Sequence, residues 1–263
     1  MGGEAPLTGL SVLVTRPAGQ AQGLCRSIEQ AGGRAVHFPV MEIRPLPGGG
    51  DLPRAIERLE RYDLAIFISV NAVHMSLPGL LAERDWPAAL TVAAIGRRTA
   101  EALEEYGLRP ALVPSEGFSS EALLALPELE EVSGRRVAVF RGRGGRELLA
   151  ATLRARGAEV DHIETYERGL PDHPPQALAG ALEQGPVQAV TVASNESLEN
   201  LFRLAGPDTA ARLRRLVFVV INSRALSLAR RLGIETEPVV AADATDAAVL
   251  AALCGWFRDS TPH

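Results

Sequence analysis

Short, nearly continuous apolar runs alternate along the chain with longer stretches whose apolar residues recur every three to four positions. The first kind reads as buried strands and the second as amphipathic helices. Leu10 to Val14 predicts a strand, and Gly19 to Gln30 a helix stopped by Gly32-Gly33. Leu64 to Ser69 predicts a strand, with a helix beginning near Asn71. Thr91 to Ile95 and Val137 to Arg141 read as strands, followed by helices over Thr99 to Tyr106 and Glu147 to Arg156 that Gly107 and Gly157 close. Ala189 to Ala193 and Val217 to Ile221 are further strands, each leading into a helix. Strand–helix alternation with apolar strands implies parallel sheets covered on both faces, so the fold class is α/β.

The same pattern repeats. At an offset of 125 residues Gly9 falls on Gly134, Arg16 on Arg141, Gly32 on Gly157, His37 on His162 and Ser69 on Ser194. At an offset of 126, Ile95 meets Ile221, Arg98 meets Arg224 and Gly107 meets Gly233. A near-constant offset across so many landmarks indicates two copies of one β/α unit. Each copy also holds an extended segment without helical character, Arg34 to Pro45 and Glu159 to Leu170. The copies could lie in tandem, divided near residue 130. Alternatively the extended segments could pair as a ribbon, with the chain leaving the first domain to build the second and then returning. The pattern leaves both layouts open.

Composition narrows the chemistry. The chain has 263 residues and a formal charge of −5, and all 27 basic residues are arginine. Without lysine there is no Schiff-base lysine, no lysine general base and no GxxxxGK(S/T) phosphate loop. Arginine keeps bidentate anion recognition available. An acidic balance argues against a general nucleic-acid partner. No apolar run reaches about 18 residues, so no membrane span is expected. The start MGGEAPLTGL has no basic, apolar signal pattern. Cys25 and Cys254 stand alone in helical patterns, which suits buried thiols of a reducing compartment. A cytoplasmic monomer is expected.

Ligands of open parallel sheets bind beyond the carboxyl ends of the strands, where helix N-termini offer free N–H groups. The residues there are Thr15 and Arg16; Ser69 and Asn71; Gly96 and Thr99; Arg141, Gly142 and Gly144; Ser194 and Asn195; and Asn222 and Ser223. Small, polar and glycine residues cap helices and admit close approach of an anion. Any single strand end could serve folding alone, but the repeated pattern points to a large anionic ligand held between two domains. The RGRGG segment lacks the GxGxxG register of a dinucleotide loop, and no HxxxH or HExxH spacing exists, so neither nucleotide nor metal is expected. Ser69 and Ser194 lie outside any G-x-S-x-G and read as caps or ligand contacts, not nucleophiles. Tyr166 is present in one copy only, its repeat mate being Met41; it reads as a core aromatic or as a phenol facing a cleft.

The ordered segments VLVTRPAGQAQGLCRSIEQAGG, FPVMEIRPL, DLAIFISVNAV, VAAIGRRTAEALEEYGL, VAVFRGRGGRELLAATLRARGAEVDHIETYERG and AVTVASNESLENL resemble the uroporphyrinogen-III synthase family over about Leu7 to Leu253. The resemblance implies two similar parallel-sheet, flavodoxin- or Rossmann-like domains arising by duplication and joined by a two-stranded antiparallel linker. It implies a discontinuous first domain of residues 1–37 and 169–263, a second of 43–163, and linker strands 38–42 and 164–168. The implied reaction is cyclisation of hydroxymethylbilane to uroporphyrinogen III with inversion of the last ring, without cofactor or metal. Tyr166 matches a tyrosine of the family that faces the cleft, which makes it the candidate general acid. The family's G-x-T/A-T turn is kept at Gly96-Arg97-Arg98-Thr99, whereas Asn222-Ser223-Arg224-Ala225 departs from it. The competing expectation is a non-catalytic two-domain binder of polyanions.

Overall fold

The computed structural model describes residues 5–117 and 119–260. In chain order the first elements are β1 (Ser11–Val14), α1 (Ala18–Gln30), β2 (Arg34–His37), β3 (Glu42–Pro45), α2 (Leu52–Arg58), β4 (Leu64–Phe67) and α3 (Val70–Glu83). Next come β5 (Thr91–Ala94), α4 (Arg97–Glu104), α5 (Ser120–Leu124), β6 (Arg136–Gly142), α6 (Leu148–Ala155) and β7 (Glu159–Gly169). The last part carries α7 (Ala177–Glu183), β8 (Val187–Val192), α8 (Asn195–Leu204) and α9 (Pro207–Arg214). It ends with β9 (Val217–Val220), α10 (Arg224–Arg231), β10 (Val239–Val240) and α11 (Asp246–Ser260).

The chain divides into two compact units, residues 1–42 with 169–263 and residues 43–168. The first unit holds a sheet of order β10-β9-β8-β1-β2, parallel throughout. The second holds the order β3-β7-β6-β4-β5, parallel from β7 to β5.

Each sheet is apolar on both faces because helices cover both, which is why β1, β4 and β9 are buried at every position. In the first unit Leu13, Val190 and Phe218 enter one core, while Val12, Val14, Ala189 and Val219 enter the other with Leu24 and Val249. In the second unit Phe67 and Phe140 are register partners on one face, their rings stacked at 4.5 Å, and Ile66 and Val139 fill the opposite face. Strand periodicity alone sends successive residues to opposite cores.

The extended segment 34–45 is not one strand. Phe38 and Val40 donate their N–H groups to Val14 O and Thr15 O, while Pro39 between them has none to give. The strand therefore lapses over residues 38–41 and resumes at Glu42 as β3 in the other sheet. Its repeat counterpart β7 continues unbroken for 11 residues. The repeat mates His37 and His162 sit on β2 and β7, which pair in parallel beside β1 and β6.

Candidate functional site

The predicted site residues fall at the carboxyl edges of the two sheets. In the second unit, Ser69 follows β4 in extended backbone and its Oγ accepts the Ala72 N–H at 3.0 Å, capping α3. The same Oγ lies 2.9 Å from the Tyr166 hydroxyl. Tyr166 is 1% exposed. Its ring lies against Gly142, where a Cβ would stand 2.6 Å from the ring's Cε2. Glycine is therefore required at that position by close approach. Gly96 precedes α4, and Thr99 is buried in the first turn of that helix. Asn71 lies in the first turn of α3.

A cavity of about 260 Å³ opens at this edge, lined by Arg141, Gly142, Gly144, Arg146, His162 and Tyr166 among others. Arg141 is 2% exposed and fully engaged: it pairs with Glu147 at 2.9 Å, donates to Gly144 O, and lies 3.3 Å from His162 Nε2. A guanidinium can only donate, so His162 Nε2 accepts and the ring is neutral with its proton on Nδ1. Burial, followed by the Arg141 charge, holds the His162 pKa below its ordinary value, with Glu147 opposing.

The first unit uses the repeat mates differently. Thr15 is fully buried and donates its hydroxyl to Thr191 O at 2.7 Å. Arg16, 6% exposed, pairs with Asp246 at the start of α11 and donates to Ala244 O at 3.0 Å. Asp246 reaches it over Gly23, whose missing side chain leaves the necessary space. The side chains of Thr15 and Arg16 are thus engaged within the fold. Both face inward because each must satisfy its hydrogen-bonding groups inside the fold. The Arg141 guanidinium is engaged in the same way, shaping the Gly142–Gly144 turn while the residue also lines the cavity.

Ser194 caps α8 through the Ser197 N–H at 3.0 Å, as Ser69 caps α3. The adjacent Asn195 Oδ1 is buried without a hydrogen-bond partner among the described residues. In the departed turn, Asn222 Oδ1 accepts the Ala225 N–H at 3.2 Å, while Ser223 makes no side-chain cap. Among the described residues no group of three metal-ligating side chains stands together.

Sequence reading missed Glu147 and Asp246 as carboxylate partners of the repeated arginines, and Arg146 and His162 as cavity walls. One signal was present: Arg and His recur together at the 125-residue offset, which placed them at matching points of two sheets.

These features define a two-sheet α/β protein with polar, glycine-rich carboxyl edges. The family described as uroporphyrinogen-III synthase HemD matches residues 22–251. Uroporphyrinogen-III synthase of Escherichia coli strain K12 is 36% identical over 249 residues, covering 93% of this chain and 100% of that protein. The Salmonella typhimurium protein of the same name is also 36% identical over 249 residues, with 93% and 100% covered. Among solved structures, uroporphyrinogen-III synthetase of Helicobacter pylori aligns with a TM-score of 0.64 at 14% identity, covering 94% of this chain and 99% of that one. A mutant uroporphyrinogen III synthase of Thermus thermophilus aligns with a TM-score of 0.62 at 22% identity, covering 95% and 98%, so the fold is shared. The chain belongs to the uroporphyrinogen-III synthase family. It is an enzyme, a lyase that cyclises hydroxymethylbilane to uroporphyrinogen III in tetrapyrrole biosynthesis, and a purely non-catalytic role is not favoured. No helix among the described residues is long and apolar enough to cross a membrane.

Proposed function

We propose that Tyr166 is the general acid of the cyclisation and that the carboxyl edges of both units supply donors to the substrate carboxylates. The observation that carries this reading is the Ser69–Tyr166 hydroxyl pair, at 2.9 Å, where Tyr166 lines an arginine-bearing cavity. Departure of the substrate's hydroxymethyl oxygen as water requires a proton, which the phenol delivers. The pyrrole nitrogen lone pair stabilises the azafulvene that results. The substituted carbon of the last ring then attacks it to give a spiro intermediate, and the bond from that carbon to the preceding methylene breaks. The methylene rejoins the ring at its unsubstituted carbon, whose proton is lost and restores the phenol. The sequence is governed by how the flexible chain is held. Ser69 fixes the phenol's direction. Ser69, Asn71, Gly96, Thr99, Gly142 and Gly144 in one unit, and Ser194, Asn195, Asn222 and Ser223 in the other, are the proposed binding positions. The unpartnered Asn195 Oδ1 suits a pyrrole N–H, whereas helix N-termini and glycine amides suit carboxylates. Arg16 and Arg141 act as positioning residues that hold their loops.

Tyr166→Phe is expected to lower kcat about tenfold or more while the chain still folds. Wild-type turnover in that variant would remove the phenol from the acid role.

We also infer that the units descend from one duplicated half and are joined at residues 38–42 and 164–168. In support, β10-β9-β8-β1-β2 and β5-β4-β6-β7 place repeat-equivalent strands in the same order, with β9 matching β5, β8 matching β4, β1 matching β6 and β2 matching β7. A bridge between Ala93 and Leu112 stands where β10 pairs with β9. The unit boundaries fall beside the two proposed linker segments.

A further inference from the structure

We infer that the second unit carries an anion site for a phosphate group at the amino ends of its strands, on the sheet edge opposite Ser69 and Tyr166 and independent of the cyclisation reading. A cavity of about 310 Å³ there is lined by Arg58, Arg61, Tyr62, Arg136, Glu159 and Asp161. That volume suits a small ligand. Arg58 ends α2, Arg61 lies in the 3-10 turn that follows, and Arg136 and Glu159 begin β6 and β7. Three separate chain segments thus converge on one cavity.

The two carboxylates in the cavity are already occupied. Asp161 accepts the Tyr62 hydroxyl at 2.8 Å, and Glu159 pairs with Arg136 at 3.5 Å. Tyr62 is 7% exposed, and burial together with Asp161 drives its pKa far above the ordinary phenol value, so it remains a donor. No carboxylate of a described residue pairs with Arg58 or Arg61. Three guanidinium groups and two carboxylates line the cavity, and the charges of the half-buried Arg58 and the exposed Arg54 both act on Tyr62. The lining residues carry a formal excess of one positive charge in a protein whose net charge is −5, with the exposed Asp63 beside them, its carboxylate accepting the Arg136 N–H at 2.8 Å.

Phosphate fits better than carboxylate. Its tetrahedral oxygens can meet more than one forked guanidinium group, whereas a carboxylate offers only two coplanar oxygens. The ligand is either inorganic phosphate or a small ester carrying the group.

The test is calorimetric titration of the full chain, at near-physiological chloride, with inorganic phosphate, glycerol phosphate and succinate. The expected result is saturable binding of at least one phosphate compound, tighter than succinate. Arg58→Gln combined with Arg61→Gln should weaken it about tenfold or more, the exposed Arg61→Gln alone about threefold, and Arg26→Gln on the other unit not at all. Circular dichroism of each variant checks that it folds. Phosphate alone binding would mark the free ion as ligand, and preference for the ester would mark an esterified one. Failure to saturate, or equal binding by the folded double variant, would overturn the site.

Discussion

Gly142 and Tyr166 are a matched pair: the ring occupies space that any side chain at residue 142 would need. Gly142→Ala places a methyl into the ring edge and is expected to cost about 1–3 kcal/mol by overpacking. It should also lower kcat, because the ring must move away from Ser69. Urea unfolding and turnover measured together check both effects; a stable variant with normal turnover would show that the ring has room to spare. His162 gives a pH signature. Its folded pKa lies below the ordinary 6.5, so the unfolded chain takes up a proton first as pH falls. The stability associated with the neutral ring is therefore present above pH 6.5 and declines as pH drops below it. His162→Gln should flatten the pH dependence of the urea midpoint in that acidic window, and an unchanged slope would contradict this assignment. These residues were only partly legible beforehand. Tyr166 stood out because its repeat mate is Met41, but its contact with Ser69 joins positions 97 apart in sequence, which no local pattern encodes. The inward turn of Thr15 and Arg16 was hidden for the same reason, since their partners Thr191 and Asp246 lie 176 and 230 positions away.

Helix capping connects local sequence to the site at the next scale. Ser69 and Ser194 sit at matching positions after β4 and β8, and each accepts an N–H three residues on at 3.0 Å. Replacing either by alanine should cost about 1 kcal/mol of stability. Ser69→Ala should additionally lower kcat, because only that cap also holds a phenol. Strand–helix alternation was readable because buried parallel strands are apolar throughout and glycines end the helices: Gly32 and Gly157 both adopt φ 86° just beyond α1 and α6. Several elements escaped, among them the short helices α2, α5, α7 and α9. The interruption between β2 and β3 follows from Pro39, and β10, only two residues long, is too short to show a period. The Arg16–Asp246 pair ties the loop after β1 to α11. Asp246→Asn leaves a guanidinium with 7% side-chain exposure short of its counter-charge, and should cost about 2 kcal/mol, read as a lower urea midpoint.

At the scale of the molecule, the two units share one strand order although each is assembled from different stretches of chain. The 125-residue repeat pointed to two similar β/α units, but which strands joined which sheet depended on pairings that sequence periodicity does not contain. The absence of lysine removed several enzyme classes while leaving a chemistry of positioned donors intact. For hydroxymethylbilane that chemistry has a direct readout, the order of substituents on the last ring. Spontaneous closure keeps that order and gives the type I isomer, whereas enzymatic closure inverts the ring. Freshly generated hydroxymethylbilane should therefore be given to the purified chain, and the oxidised products resolved by isomer. The type III isomer is the expected product; type I alone, at the spontaneous rate, would contradict the account.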